Sequence, residues 1–291
     1  MINKNTKNKT GFDDRIVNYA YIHGNQELDF QNLLSAINAK ESDVILDGCG
    51  GYMDVSERIL KTFQENKPTI FVLDESSVQL NRAKEKNILP GQNLIQGDIS
   101  NIPFPDETFD KVIVKMGMHE IPLERQKIAF RECYRVLKNG GKLIIWELSL
   151  PDKETQKLFQ DIIREKDRLC GFDYLVENRW FQTHDELLEL FNQANFISTK
   201  DEFPINSELS TDRRLSEFVS KDRLEIIKTK GKIEEADEII LNKVAYEKLR
   251  ILCEYIRNLI PKHLKEKLKY SDTGDNIIFE VDKIIMSAIK P

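Results

Sequence analysis

Short apolar segments alternate with amphipathic segments over the first half of this 291-residue chain. The apolar segments predict strands at 43–47, 69–74, 93–97, 110–116 and 141–147. The amphipathic segments predict helices near 52–65, 77–86 and 123–138. This alternation is typical of a doubly wound, mostly parallel sheet that is covered by helices on both faces. We therefore predict an α/β fold.

Four regions follow from the pattern. They are an N-terminal tail and cap helix (1–40), a ligand-binding core (41–205), a helical insertion (206–274) and a final strand of the core (275–291). Within the core, Thr183 predicts the N-cap of a late helix, and a strand is expected near 196–203.

The insertion is predicted to contain a long helix that ends at Pro261 and has one apolar face. Its apolar residues recur at steps of three and four, at Leu241, Ala245, Leu249, Leu252, Ile256 and Leu259. Such a face can pack on the main domain, form a dimer contact or act as a lid. A homodimer through the 206–272 helices is therefore one of the open possibilities.

The composition narrows the choice of partners and location. The net charge of -6 offers no overall attraction to nucleic acid, so a small-molecule partner is favoured. No apolar run approaches the length of a membrane span. The cysteines lack the CxxC spacing of a zinc site, and no metal is expected; they are predicted to be reduced thiols of a cytoplasmic protein, at Cys49, Cys133, Cys170 and Cys253.

Acidic residues lie at the ends of three successive predicted strands, at Asp47, Asp74 and Asp98. The first is followed by a glycine-rich turn, Gly48 to Gly51, which lets the backbone approach a ligand closely. In open parallel sheets, ligands bind outside the carboxyl ends of the strands. These residues, together with Met116 to Glu120 after the fourth strand, are expected to form one site.

Four sequence blocks carry a resemblance to a known family. They are Val44 to Gly51, Phe71 to Asp74, Gly97 to Asp110 with its Ile102-Pro103-Phe104-Pro105 segment, and Arg135 to Leu143. Their order and spacing resemble the class I S-adenosylmethionine-dependent methyltransferases, in particular the ubiquinone/menaquinone C-methyltransferase group. The resemblance implies a seven-stranded Rossmann-like sheet and S-adenosylmethionine as cofactor. It also implies methyl transfer to an O, C or N atom of a small molecule by in-line displacement.

The resemblance also implies roles for individual residues. The turn after Asp47 would contact the methionine part of the cofactor, with the Asp47 carboxylate near its ammonium. Asp74 would accept hydrogen bonds from both ribose hydroxyls, and Asp98 from the adenine amino group. The full predicted cofactor set is Asp47, Gly48, Cys49, Gly50, Asp74, Glu75, Asp98, Ile99 and Met116.

The glycine-rich turn departs from the family pattern of acid, any residue, Gly, any, Gly, any, Gly. Either the turn lacks one residue before its first glycine, or Cys49 and Met53 occupy two of the glycine positions. A distorted turn with altered cofactor binding is one possible consequence.

His119 is the candidate catalytic residue, because it lies where the family often has a histidine that faces the sulfonium. A histidine could act there as a base or orient the acceptor. Its alternative role is a hydrogen bond to the backbone of the following turn. Further pocket candidates are Glu120, Trp146, Glu147 and Trp180.

Other functions fit the sequence less well. An NAD-dependent dehydrogenase needs G-x-G-x-x-G, and here Met53 occupies the third glycine position. A phosphate-binding loop of the G-x-x-x-x-G-K-[ST] type is absent. The Asn/Asp-Pro-Pro-aromatic tetrad of base and glutamine methyltransferases is missing, and the fourth strand is not followed by a nucleophilic cysteine. A non-catalytic S-adenosylmethionine-binding regulatory or assembly protein remains as the alternative.

Overall fold

The computed structural model of the chain describes Asp13, Arg15 and residues 26–291. Its strands are β1 (Val44–Gly48), β2 (Thr69–Asp74), β3 (Leu94–Gln96), β4 (Phe109–Lys115), β5 (Leu137–Leu148), β6 (Ile197–Ile205), β7 (Glu208–Ser210), β8 (Ser271–Asp272), β9 (Ile277–Glu280) and β10 (Lys283–Ile289). Its α-helices are α1 (Glu27–Ile37), α2 (Asp54–Lys61), α3 (Ser77–Glu85), α4 (Leu123–Val136), α5 (Lys153–Cys170), α6 (Asp173–Asn178), α7 (His184–Gln193), α8 (Leu215–Phe218), α9 (Ser220–Lys230), α10 (Glu235–Leu259) and α11 (Lys262–Lys267).

Seven strands form the main sheet in the order β3-β2-β1-β4-β5-β10-β6. The pairs β1–β2, β1–β4, β2–β3 and β4–β5 are parallel, whereas β10 is antiparallel to both β5 and β6. This topology confirms the predicted doubly wound, mostly parallel α/β fold. It brings the carboxyl ends of β1, β2, β4 and β5 to one edge of the sheet.

The prediction of one final core strand over 275–291 is wrong in part, because this segment holds two strands. The segment forms two strands, and β9 pairs with β7 and β8 in a separate three-stranded sheet. Only β10 joins the main sheet. Apolar residues occur on both sides of the break at 281–282, so the pattern alone could not show that the two halves have different partners.

Helix α7 begins with a capping box, as the sequence predicted. The Thr183 hydroxyl accepts a hydrogen bond from the Glu186 amide at 3.3 Å, and the Glu186 carboxylate accepts one from the Thr183 amide at 2.9 Å. These two bonds satisfy backbone donors that the first turn of a helix otherwise leaves unpaired. The cap fixes the chain direction directly after the Arg179–Thr183 segment, which borders the site described below.

Two cores cover the faces of the main sheet. Helices α1 to α3 pack on the face that carries Ile45 and Ile113, while α4 and α7 pack on the face that carries Leu46 and Val112. The burial of both faces explains why the strands read as continuous apolar runs.

A third core belongs to the helical part of the chain. It joins α5, α6, α8, α10 and the small sheet, and it contains most of the apolar face of α10, namely Leu241, Ala245, Leu249, Leu252 and Ile256. The apolar face therefore packs in one core with α5, which belongs to the predicted 41–205 region, as in the first of the three possibilities above. The predicted N-terminal tail lies outside the described residues apart from Asp13 and Arg15. Within the part that the structure describes, no helix is long and apolar enough to cross a membrane.

Candidate functional site

A cavity of about 470 Å³ lies at the carboxyl ends of β1, β2, β4 and β5. The predicted site residues that line it are Asp47, Cys49, Gly50, Asp74, Glu75, Asp98, Ile99, Met116 and His119. Gly48 does not reach the cavity wall. A Cβ on Gly48 would stand 2.4 Å from Cδ1 of Ile99, so this glycine makes room for the side chain that does.

The glycine-rich turn keeps its full length. Cys49, Gly51 and Met53 have φ values of +56°, +51° and +70°, so all three adopt the left-handed conformation that glycine adopts most easily. Cys49 and Met53 therefore occupy glycine positions, and the turn does not lack a residue. The Gly50 amide donates to the Leu73 carbonyl at 3.1 Å, which ties the turn to β2.

Asp47 is the last residue but one of β1, and its side chain borders the cavity and is almost completely buried. Its Oδ2 accepts hydrogen bonds from the Ser56 amide at 3.1 Å and the Ser56 hydroxyl at 2.5 Å. Its Oδ1 has no hydrogen-bond partner among the described residues. Burial raises the pKa of Asp47 to about 6, against the opposing effect of the Ser56 hydrogen bonds. A cationic donor in the cavity would satisfy this oxygen.

Asp74 has one acceptor position left on each oxygen. Oδ2 accepts from the Gly51 amide at 2.9 Å, and Oδ1 accepts from the Ser76 amide at 2.8 Å. A carboxylate oxygen has two lone pairs, so a pair of neighbouring hydroxyls could each find an acceptor here. Burial raises the pKa of Asp74 to about 6, although both amides favour its ionised form.

Asp98 is held by protein groups. Its Oδ1 accepts from the Ser100 amide and hydroxyl, both at 2.7 Å, and its Oδ2 is 2.5 Å from Nη2 of Arg125. Arg125 also donates to Glu75 at 3.2 Å and to the Tyr174 hydroxyl at 3.3 Å. Burial alone would raise the pKa of Asp98, but these hydrogen bonds hold it below its ordinary value. One acceptor position on Oδ2 remains for a ligand.

Cys49 and Met116 face the cavity between these acids and the fourth strand. Burial, together with the neighbouring Asp74 carboxylate, raises the pKa of the Cys49 thiol well above its ordinary value. Met116 has a φ of +53°, and its amide donates to the Trp146 carbonyl at 2.7 Å. The next residue, Gly117, lies close to Cys49. A Cβ at Gly117 would be 2.4 Å from the Cβ of Cys49, so only glycine fits there without a shift.

His119 is buried between two carboxylates. Its Nδ1 lies 2.5 Å from Glu147 Oε1 and its Nε2 lies 3.3 Å from Glu120 Oε1, while the ring stacks on Phe181 at 4.9 Å between centroids. Burial opposes the charged imidazolium, but Glu147 and Glu120 outweigh it and raise the pKa of His119 to about 9. The two carboxylates therefore favour the imidazolium form, which donates hydrogen bonds from both ring nitrogens.

A buried ionic wall continues from His119 along the cavity. Arg179 joins Glu120 and Asp167, with an Nη2–Oε1 distance of 2.6 Å and an Nη1–Oδ2 distance of 2.9 Å. Arg15 reaches Glu120 at 3.3 Å and Glu217 at 3.4 Å. Burial alone would raise the pKa of Glu120, but Arg179 and Arg15 hold it well below its ordinary value.

The wall ends at Glu217, which three cations surround. Lys166 Nζ lies 2.7 Å from its Oε2, and Arg214 Nη1 lies 2.8 Å from its Oε1. Lys166 also pairs with Asp167 at 2.6 Å. Burial opposes the ionised form of Glu217, yet Lys166 and Arg214 hold its pKa well below the ordinary value. Glu120 and Glu217 therefore stay ionised at neutral pH.

The sequence did not identify most of this wall. Of the weaker candidates, Glu120 lines the cavity and Glu147 binds His119, whereas neither Trp146 nor Trp180 reaches the lining. Arg179, Lys166, Arg214 and Glu217 come from the helical part of the chain, where many charged residues are exposed. Nothing in the local pattern distinguishes a buried ion pair there from a solvated one. The pairs Lys166–Glu217 and Arg179–Glu120 join residues that are 51 and 59 positions apart.

Apolar side chains complete the same half of the cavity. Phe159 and Ile163 come from α5, Leu175 from α6 and Phe181 from the segment before α7. Phe159 packs edge-on against Phe181 with centroids 4.8 Å apart. This half can therefore enclose a compact molecule that has both an apolar body and polar substituents.

Comparisons with known proteins agree with this architecture. The family described as "Methyltransferase domain" matches residues 48–145. The ubiquinone/menaquinone biosynthesis C-methyltransferase UbiE of Roseobacter denitrificans is 32% identical over 169 residues, which are 54% of this chain and 67% of that protein. The family match includes the glycine-rich turn from Gly48 onward and the strand-end acids Asp74 and Asp98.

Solved structures share the fold at low sequence identity. A Bacillus halodurans protein superposes with a TM-score of 0.66 at 21% identity, over 91% of this chain and 99% of that chain. The phosphoethanolamine N-methyltransferase 2 of Haemonchus contortus, solved in complex with S-adenosyl-L-methionine, gives a TM-score of 0.52 at 18% identity, over 98% of this chain and 57% of that chain.

Proposed function

The chain belongs to the class I S-adenosylmethionine-dependent methyltransferases, and on this premise we propose how its cavity divides between the cofactor and a small-molecule methyl acceptor. The cofactor lies along the ends of β1, β2 and β3, and the acceptor lies beside His119. When bound, S-adenosylmethionine supplies a methyl group on an electrophilic sulfonium. The protein has to align the acceptor atom with that group and exclude water.

The observation that carries this assignment is the hydrogen-bond count at Asp74. Two backbone amides use one acceptor position on each oxygen, which leaves a matched pair for two adjacent ribose hydroxyls. The remaining position on Asp98 Oδ2 suits the adenine amino group, with Ile99 against the ring. Oδ1 of Asp47 suits an ammonium.

The turn after β1 also suits a ligand that approaches the backbone. A Cβ at Gly50 would come within 2.8 Å of Asp47 Cγ and Val72 Cγ1, so Gly50 lets the turn pack on the strands. A Cβ at Gly51, which has a positive φ, would meet only Asp74 Oδ2 at 3.8 Å and leaves room beside the backbone. Cys49 and Met53 keep the same left-handed backbone at a cost of about 1–2 kcal/mol each. The substituted turn thus keeps the shape that glycines would give it.

The acceptor is proposed to be a compact molecule with an apolar body and at least one hydrogen-bonding group. Phe159, Ile163 and Phe181 would contact the body, and the ionic wall would face the polar group. The UbiE relative is named as a C-methyltransferase of ubiquinone/menaquinone biosynthesis. Carbon, oxygen and nitrogen all remain candidate acceptor atoms for this chain.

His119 is proposed to donate from Nε2 to the acceptor in its charged form. Nδ1 is held closely by Glu147, whereas the Nε2 contact with Glu120 is longer at 3.3 Å and can be exchanged for a ligand. A charged donor stabilises an acceptor oxygen that carries negative charge, such as that of a phenolate or an enolate. This role replaces the general base that the sequence suggested.

The assignment is tested by calorimetry with S-adenosylmethionine on wild-type protein and Asp74→Ala. We expect binding to wild type and a loss of tenfold to a hundredfold or more in the variant, since hydrogen bonds to a charged group contribute about 1.5–3 kcal/mol. Asp275→Ala is a matched control, because Asp275 is exposed. Wild-type affinity in Asp74→Ala would refute the ribose assignment, and no binding to wild type would refute the cofactor site.

Three further features belong to the proposal. Four unpaired thiols support a cytoplasmic location. The net charge of -6 supports a small-molecule partner rather than nucleic acid. A homodimer is supported by exposed apolar side chains on α10, namely Ile239, Ile240, Tyr246 and Ile251.

A further inference from the structure

Lys115 is a cation in the cavity wall that the roles assigned above do not use. It is the last residue of β4 and lies one strand away from Asp47. Asp47 pairs in register with Ile113, and Ile45 and Ile113 belong to the same core. Because side chains alternate along a strand, Asp47 and Lys115 project from the same face of the sheet, and Lys115 lies further toward the cavity.

The surroundings of Lys115 leave its charge incompletely balanced. The ammonium lies 5.0 Å from the centre of the Phe30 ring and 5.1 Å from that of Trp146. Its ion-pair partner, Asp54 Oδ2, is 3.9 Å away, and no described residue accepts a hydrogen bond from it. Burial lowers its pKa, while the carboxylates of Asp54 and Asp47 oppose that effect. A cation in this state gains from any anion that enters the cavity.

One oxygen of Asp47 lacks a hydrogen-bond donor within the part of the chain that the structure describes, just as Lys115 lacks an acceptor. Its Oδ1 is buried, faces no donor among the described residues, and belongs to the same cavity wall. The neighbouring cation Arg58 is already engaged, because it donates to Glu27 at 2.9 Å and to Asp54 at 3.5 Å. The Lys115 ammonium and the Asp47 carboxylate, at the ends of adjacent strands, are thus both incompletely paired. An α-amino acid head group, which carries an ammonium and a carboxylate on one carbon, supplies both partners.

We infer that Lys115 binds the carboxylate of the methionine part of S-adenosylmethionine, while Asp47 Oδ1 accepts from the ammonium of the same group. This inference rests on the cofactor placement proposed above. The two contacts would hold the amino-acid end of the cofactor at two points, and the rings of Phe30 and Trp146 would keep water away from the ion pair. Lys115 is therefore a cofactor-positioning residue, and it selects for a cofactor that retains its carboxylate.

The test compares S-adenosylmethionine with decarboxylated S-adenosylmethionine, which keeps the sulfonium and the ammonium but lacks the carboxylate. Calorimetry on wild-type protein should show at least tenfold tighter binding of the complete cofactor. In Lys115→Gln that preference should fall toward one, because the affinity for the complete cofactor drops while that for the decarboxylated analogue is unchanged or slightly higher. Lys115→Arg should restore most of the preference.

Lys127→Gln serves as the charge control. Lys127 lies on the surface of α4 and pairs with Glu124, so its loss changes the net charge equally without touching the cavity. This variant should keep the wild-type preference.

Two results would overturn the inference. One is a wild-type protein that binds both compounds equally, an outcome that does not depend on whether any variant folds. The other is a folded Lys115→Gln variant that keeps the full preference, which would mean that Lys115 faces some other anion. Failure of wild type to bind either compound would instead overturn the proposed cofactor site.

Discussion

At the scale of single residues, the charge of His119 decides what the acceptor half of the cavity can do. A neutral imidazole could remove a proton from the acceptor, whereas the imidazolium held by Glu147 and Glu120 can only donate. The same two carboxylates make folding depend on that charge. His119 therefore has a measurable effect on stability even when the acceptor is unknown.

The stability effect has a definite sign. The pKa of His119 is raised from 6.5 to about 9, so its contribution is complete below pH 6.5 and is lost as the pH rises through 9. We expect the free energy of unfolding of wild type to exceed that of His119→Gln, and the difference to shrink by about 3 kcal/mol over that window. Urea titrations at several pH values measure it.

His184→Gln is the matched control for this prediction. His184 pairs with Asp201 at the surface, with a third of its side chain exposed, so its replacement should give no comparable change over the same range. A difference between wild type and His119→Gln that stays constant from pH 6.5 to 9 would contradict the charged form of His119.

The sequence revealed the acids at the strand ends but not the charge of His119. Asp47, Asp74 and Asp98 were predictable because a strand and the residue after it are read locally. The charge of His119 depends on Glu147, one strand away, and on Glu120, whose own charge depends on Arg179 and Arg15. Such a state arises from tertiary contacts, which no local pattern reveals.

At the scale of elements, α10 illustrates a pattern that predicted both a helix and its buried face. Leu252 is 1% exposed in the third core, whereas its neighbour Ile251 is 48% exposed on the opposite side. We expect Leu252→Ala to lower the free energy of unfolding by about 2–5 kcal/mol, because it leaves a cavity in a packed core.

Ile128→Ala removes a similar side chain from an exposed position of α4, outside the proposed dimer surface, and should change stability by less than about 0.5 kcal/mol. Denaturant titration of the two variants compares them directly. Equal effects would mean that the apolar face of α10 is not packed against α5 and α8 as described.

The small sheet of β7, β8 and β9 could not be predicted from the sequence. β7, β8 and β9 are two to four residues long, and β9 pairs with a strand nearly seventy residues earlier. Strands this short carry too few residues for alternation to stand out, and their stability comes from distant partners. For the glycine-rich turn, the sequence allowed two alignments with the family pattern. The positive φ values of Cys49, Gly51 and Met53 favour the alignment in which no residue is missing.

At the scale of the whole molecule, the site lies where two packed bodies meet. The main sheet supplies the acids and the turn, and the third core supplies Arg179, Lys166 and Glu217. The sequence predicted the first body in detail. It predicted the helical character of the second, but not that this body forms one wall of the cavity.

The proposed homodimer also belongs to this scale. We expect light scattering to give about twice the monomer mass of 33.9 kDa, with an interface that includes the exposed apolar residues of α10. Ile240→Lys should restore the monomer, while Leu28→Lys, an exposed apolar position on α1, should not. A monomer mass at micromolar concentrations in wild type would contradict the proposal.

Burial raises the pKa of the Cys49 thiol well above its ordinary value, so this side chain favours its less nucleophilic, protonated form. A methyl sulfonium is an alkylating agent, and a thiolate in the wall of its binding site would be a stronger nucleophile than most acceptors. Burial disfavours the thiolate most, and the charges of Asp74, Glu75 and Asp98 add to that effect. The acids proposed to bind the cofactor would thereby also disfavour methylation of the cysteine that replaces a glycine in the turn.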